Sequence, residues 1–125
     1  MPPFDWNQYL IFAQDLDNMR DPFTNRGITC NQETIDRCIV SRAYYSAFHH
    51  SKKYAERRMG YKFSINNVHE EVREWFFNND RKSVFYQLRD LSAWRNQCDY
   101  EDNVENFSKL IKDSRKTAGK IINSF

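Results

Sequence analysis

Glycine and proline are scarce in this chain. Three of each occur in 125 residues, and the last proline is Pro22. From Asn31 onward no proline interrupts the chain, which is the pattern of a helical bundle. Long apolar runs are missing too, so nothing in the sequence can span a bilayer. The first residues, Met1-Pro2-Pro3-Phe4-Asp5-Trp6, lack the basic and apolar regions of a secretory signal. Neither sign of charge is in large excess: 19 Lys and Arg stand against 17 Asp and Glu, a net charge of +2. That balance does not announce nucleic-acid binding, yet it does not exclude it, because local patches matter more than the sum. Cysteine is limited to Cys30, Cys38 and Cys98, an odd and widely spaced set. It forms neither a C-x-x-C pair nor a Cys/His ligand cluster, so a disulfide framework and a zinc site are not expected. The default is a cytoplasmic protein with reduced thiols, two of them filling core positions. His49, His50 and His69 do not make a metal site, since His49 and His50 are adjacent and His69-Glu70-Glu71 lacks the H-E-x-x-H spacing. A glycine-rich phosphate loop and a nucleophile elbow are absent, and no cofactor is expected.

Aromatic residues, in contrast, make up 16% of the chain. They supply either a well-filled core or an exposed surface for a partner. Their spacing, with that of the aliphatic residues, predicts an all-α, single-domain bundle of about five helices spanning residues 1–125. The first helix runs from about Asp5, its cap, to Asn18, with Tyr9, Phe12, Ala13 and Leu16 as its apolar stripe. Residues 20–31 read as a loop. The second helix, from about Gln32 to Arg58, is apolar around most of its circumference and therefore central, and Gly60 ends it. The third starts at Asn67, with Glu70 completing a capping-box-like pair, and stops near Asn78-Asn79. Asp80 caps a fourth helix, about Arg81 to Asp99, and Asn103 a fifth that reaches the C-terminal residues. No repeat or linker divides the chain.

Chemistry-bearing residues concentrate at the end of the fourth helix, Arg95-Asn96-Gln97-Cys98-Asp99-Tyr100. Continuing the stripe Val84, Leu88, Leu91 by helical steps leads to Arg95 and then to Cys98 or Asp99. Arg95 and Asp99 lie about 40° apart, as do Asn96 and Tyr100, so the four polar groups share one side of the last turn. An unpaired guanidinium is costly to bury, so Arg95 has a partner or borders a cleft or interface. An i, i+4 Arg95–Asp99 pair, with Tyr100 packed on the domain end, would be purely architectural. On the second helix Arg42, Ser46 and His49 fall on one face and could line a polar cleft; alternatively His49 is a satisfied core histidine. The basic run from Lys52 and Lys53 to Arg57 and Arg58 is either a solvated helix end or a phosphate-contact patch.

The block Ser41-Arg42-Ala43-Tyr44-Tyr45-Ser46-Ala47-Phe48-His49, followed by Arg95 to Asp99-Tyr100, resembles the HEPN superfamily of prokaryotic helical-bundle proteins. There the second helix often reads S-R-A-Y-Y-A-A-F-H, the fourth often ends R-x-x-A-D-Y, and many relatives carry a histidine where His69 stands. The resemblance implies an up-and-down bundle of four to five helices that forms a homodimer. It also implies RNA as a partner and, in many members, metal-independent endoribonuclease activity at the dimer cleft. Such proteins are often toxins paired with a nucleotidyltransferase-like antitoxin, or parts of anti-phage defence. On this reading Arg95 is the electrophilic residue, Asn96 and Asp99 orient it, and Tyr100 contacts phosphate. Arg42, Lys52 and Lys53 would contact the RNA backbone. The pattern departs at Tyr100, which replaces the usual histidine and, with a free pKa of about 10, is a poor base. His49 from the facing helix is the substitute imidazole. A non-catalytic module that binds a nucleotide or a nucleotidyltransferase-like protein through the same cleft is the alternative.

Overall fold

The chain has long stretches of good helix formers with few breakers, and helix is what it forms. The computed structural model describes residues 4–18 and 30–125. Among them are five helices: α1 (Asn7–Asn18), α2 (Gln32–Arg57), α3 (Val68–Asn78), α4 (Lys82–Tyr100) and α5 (Phe107–Ser124). The loop expected over residues 20–31 lies almost wholly outside the described residues. No helix among those described is long and apolar enough to cross a membrane.

The 26-residue α2 is the hub. It touches each of the other four helices, while α3 packs on α4 and α5 lies against α1, α2 and α4. Its apolar positions cover most of the circumference, so it has no face to spare for water. Small residues bring neighbours close: Ala43, Ala47 and Ala55 are completely buried. Around them the larger core cluster collects Tyr44, Phe48, Trp75, Phe76, Leu88 and Ile121. A second cluster, with Ile35, Ile39, Val40 and Ile111, takes in Cys98 at the end of α4. Burial pushes the Cys98 thiol up to about 11, so it packs as a small apolar group. Cys38 is half-buried against the same cluster and Cys30 is exposed.

The helix ends obey local chemistry that differs from the expected caps. Asn31 caps α2, its Oδ1 accepting from Thr34 N at 2.9 Å and from Thr34 Oγ1 at 2.7 Å. Asn31→Ala is expected to lower stability by about 1 kcal/mol. A denaturant midpoint identical to that of the parent protein would show that the cap adds nothing. Gly60, at φ 69°, closes the other end, letting Tyr61 N reach Ala55 O at 3.0 Å. Asn67 and Asp80 do not cap. Both are in the left-handed region, at φ 56° and 61°. Neither side chain makes a cap hydrogen bond to the helix that follows, and both residues serve to reverse the chain. Glu71 secures the approach to α3, accepting from Ser64 N, Ser64 Oγ and Tyr61 Oη. The fifth helix starts later than expected: Asn106, not Asn103, caps it, accepting from Lys109 N at 3.3 Å.

On α1 the buried residues are Leu10, Ala13 and Leu16, whereas Phe12 is 47% exposed. The apolar stripe is therefore rotated from the expected one. The rotation points Trp6 and Tyr9 at α2, with consequences for the site.

Candidate functional site

Arg95 sits on the last full turn of α4, on the line of Val84, Leu88 and Leu91, and it faces inward. Only 11% of its side chain is exposed. The guanidinium carbon lies 5.1 Å from the Tyr44 ring centre, 5.4 Å from that of Tyr45 and 5.9 Å from that of Tyr100. Three electron-rich faces thus take the place of water around the cation. Its Nη1 donates weakly to Tyr45 Oη at 3.4 Å and lies 3.6 Å from Asp99 Oδ2. The buried Nε has no hydrogen-bond partner among the described residues. Asp99 is shared, since its Oδ2 also accepts from Ser41 Oγ at 3.4 Å, and Ser41 Oγ accepts from Arg42 Nη2 at 3.3 Å. A polar chain Arg42–Ser41–Asp99–Arg95 therefore ties α2 to α4 and carries a guanidinium at each end.

The turn bearing these groups is fixed from outside α4 by Arg37 of α2. Its Nη1 donates to Cys98 O at 2.8 Å and Glu101 O at 2.6 Å, and its Nη2 to Asp102 O at 3.0 Å. These carbonyls at the C-terminal end have no partner within the helix, and a planar fork of donors satisfies several at once. The sequence reading missed Arg37. Its one signal is a charge in the turn that also carries Ile35, Cys38 and Ile39, three apolar positions packed in the second core cluster.

Tyr100 is the most open of the group, 76% exposed, and Asn96 is exposed beside it. Arg95, Asn96, Asp99 and Tyr100 therefore share one end of α4, as the spacing predicts. His49 is placed differently. Its ring stacks on Trp6 with centres 3.6 Å apart, under the segment that leads into α1. Arg42 is likewise roofed, its guanidinium 4.8 Å from the Tyr9 ring and 5.2 Å from that of Tyr45. Ser46, the third member of that face, is completely buried. The polar cleft expected along α2 is thus covered by the aromatic residues of α1. Lys52 pairs with Glu56 at 3.4 Å, and Lys53 donates to Phe4 O at 2.6 Å.

The imidazole that faces the Arg95 cage is His69. Its Nδ1 lies 2.5 Å from Tyr44 Oη, and its ring stacks on Phe48 at 4.2 Å. Burial pushes the Tyr44 phenol up to about 12, so Tyr44 keeps its proton, and its Oη shares one hydrogen bond with Nδ1 whose donor is set by the imidazole tautomer. Burial, and then the charges of Arg95 and Arg73, hold His69 below the usual imidazole range. His69 is consequently neutral near pH 7, with its Nδ1 engaged by Tyr44 and its Nε2 left to offer. Burial, followed by the charges of Lys52, His69 and Lys53, pulls His49 down to about 4. The unfolded chain takes up this proton near 6.5, the native chain only near 4. Stability is therefore expected to fall as pH drops from about 6.5 toward 4 and to level off below. Thermal denaturation of His49→Gln checks this: the slope across that window should flatten, and an unchanged slope would assign it to other groups.

Of the hollows that lie away from Arg95, two carry clusters of basic side chains. One of about 680 Å³ is lined by Asp17, Asp36, Lys112 and Arg115, with Arg115 hydrogen-bonded to Asp17. The other, of about 350 Å³, lies at the far end of α2. Among the described residues no group of three or more His, Cys, Asp or Glu side chains could hold a metal ion. No protein-family model, curated protein or solved structure matches this chain.

Proposed function

We propose that this chain is a HEPN-type RNA-binding protein that works as a homodimer and cleaves RNA without a metal ion, in a toxin–antitoxin or anti-phage setting. The observation that carries the reading is the inward Arg95, held in a ring of tyrosines with its Nε unpartnered. A guanidinium already stripped of water and oriented needs little reorganisation to receive a phosphate oxygen. Arg42, joined to it through Ser41 and Asp99, supplies a second cation along the same seam, and the open phenol of Tyr100 can donate to phosphate. In the cleavage step the RNA 2′-hydroxyl, giving its proton to water, attacks the adjacent phosphorus to form a 2′,3′-cyclic phosphate, the 5′-oxygen leaves and takes a proton from water, and Arg95 stabilises the charge on the phosphorane oxygens. Asn96 and Asp99 hold that end of α4 in register.

One observation favours the non-catalytic alternative, a module that binds a nucleotide or a nucleotidyltransferase-like partner. The imidazole nearest the cage has its Nδ1 engaged by Tyr44 and is held below its usual range, and His49 is pulled down to about 4. Neither is poised as a base at neutral pH. RNA incubated with EDTA-treated protein separates the two: fragments ending in cyclic phosphate support cleavage, while intact RNA that is still bound supports the module. Protein that leaves RNA both unbound and uncut removes the RNA-binding proposal and leaves only a module for a nucleotide or a protein partner.

A further inference from the structure

The hollow of about 350 Å³ at the end of α2 has a wall chemistry of its own. Lys53, Arg57 and Arg58 supply the charge, and Phe4, Tyr54 and Phe125 the aromatic surface. Asp5 is the one acidic side chain lining it, with its Oδ1 accepting from Asn7 N at 3.0 Å. Arg57 and Arg58 are exposed, and neither forms an ion pair among the described residues. Behind them Arg81 lies 5.2 Å from the ring centres of both Tyr54 and Phe125 and donates to Tyr54 Oη at 3.3 Å. His50 on the inner wall is held against Phe125 O at 2.9 Å. Phe4 is 51% exposed at the rim, its carbonyl tethered by Lys53.

Cations in the last turn of a helix ordinarily complement the dipole and need no further explanation. Here they crowd one another. Desolvation, and after it the charge of Arg57, holds Lys53 below its usual range. An anion placed between these side chains relieves that repulsion. The volume lies within the range of small-molecule sites, about 300–1,000 Å³. Phosphate-sized charge beside an open aromatic face is the pairing with which proteins hold single-stranded nucleic acid: backbone on the cations, base on the ring.

We infer that this hollow is a subsite for one phosphorylated nucleotide unit of single-stranded RNA, with the phosphate on Arg57 and Arg58 and the base against Phe4. The subsite is separate from the Arg95 end of α4. The inference rests on the RNA-binding reading, and the experiment keeps the two failures apart.

Calorimetric titrations with adenosine 5′-monophosphate, adenosine, inorganic phosphate and a 5′-phosphorylated RNA tetramer test it. The monophosphate and the tetramer are expected to bind saturably, and adenosine and phosphate each at least about tenfold more weakly, because each offers half of the chemistry. The double variant R57A/R58A should weaken both binders by about tenfold or more and lower the salt dependence of tetramer binding. Phe4→Ala, at an exposed rim position that leaves the core intact, should weaken the nucleotide but not phosphate. Absence of monophosphate binding, or equal binding of an acidic peptide of matched charge, would overturn the subsite even if RNA is still cleaved. Monophosphate binding without tetramer binding would overturn its assignment to an RNA strand and leave a free mononucleotide as the ligand.

Discussion

Replacing Arg37 by alanine is expected to lower the unfolding free energy by about 3 kcal/mol, at the upper end of what hydrogen bonds to a charged donor contribute. For a chain of this length that corresponds to a fall of roughly 10 °C in Tm. The side chain is only 22% exposed and bonds three backbone carbonyls at 3.0 Å or less. Truncation leaves those carbonyls to be re-solvated at the seam between α2 and α4, where Cys98 is buried. Its pairing with Glu33 at 3.2 Å is a part-exposed i, i+4 contact and adds little. Arg37→Lys keeps the charge but offers a point donor in place of a fork, so it should recover less than half of the loss. Equilibrium urea denaturation of the three proteins decides the matter. A loss below about 1 kcal/mol, the value of one ordinary hydrogen bond, would mean that water replaces Arg37 without difficulty. Because Arg37 clamps the turn that carries Arg95, Asp99 and Tyr100, folded Arg37→Ala should also bind RNA more weakly than the parent protein.

The bundle was readable because its signals are redundant. Sparse breakers, the long apolar α2 and the stripes of the later helices all point the same way. The inward Arg95 was readable for a related reason: α4 is regular through Tyr100, so extending Val84, Leu88 and Leu91 by helical steps lands on the correct face. Single-residue features fared worse. Phe12 has the spacing of a core residue, yet Leu10 takes the buried place. Two registers of α1 both give an apolar stripe, and the choice between them depends on how Trp6 and Tyr9 fit against Arg42 and His49 of α2. Asn67 and Asp80 have cap chemistry but make no cap hydrogen bond, because asparagine and aspartate serve turns as well as caps. The Tyr44–His69 contact joins residues 25 apart in sequence, and nothing local announces it. The same holds for Arg37, whose partners lie more than 60 positions away.

Arg95→Ala is expected to reduce RNA cleavage at least about 100-fold, the typical cost of deleting one donor that stabilises transition-state charge. The difficulty is that Arg95 also has an architectural partner, Asp99, at 3.6 Å, so loss of activity alone would not separate chemistry from scaffolding. Two further substitutions do. Arg95→Met keeps much of the length and the contact with the Tyr44, Tyr45 and Tyr100 rings while removing the charge. It should fold, with a thermal midpoint within a few degrees of the parent, and cut no faster than the alanine variant. Asp99→Asn removes the ion pair but keeps the guanidinium and the hydrogen bond from Ser41. If Arg95 exists to receive phosphate, freeing it from Asp99 should leave RNA affinity equal or higher, because its carboxylate competes with the phosphate for the same cation. If the pair exists to lock the fold or a dimer, Asp99→Asn should cost as much stability as Arg95→Met and shift the sedimentation of the protein toward monomer. Arg95→Met with RNA binding and cleavage equal to the parent would remove the guanidinium from the mechanism, and with it the reason to place RNA at this end of α4. The two accounts thus differ in which measurement responds to Asp99→Asn: RNA affinity holds or rises if the cation is kept for phosphate, and sedimentation shifts toward monomer if the pair is kept for the fold or a dimer.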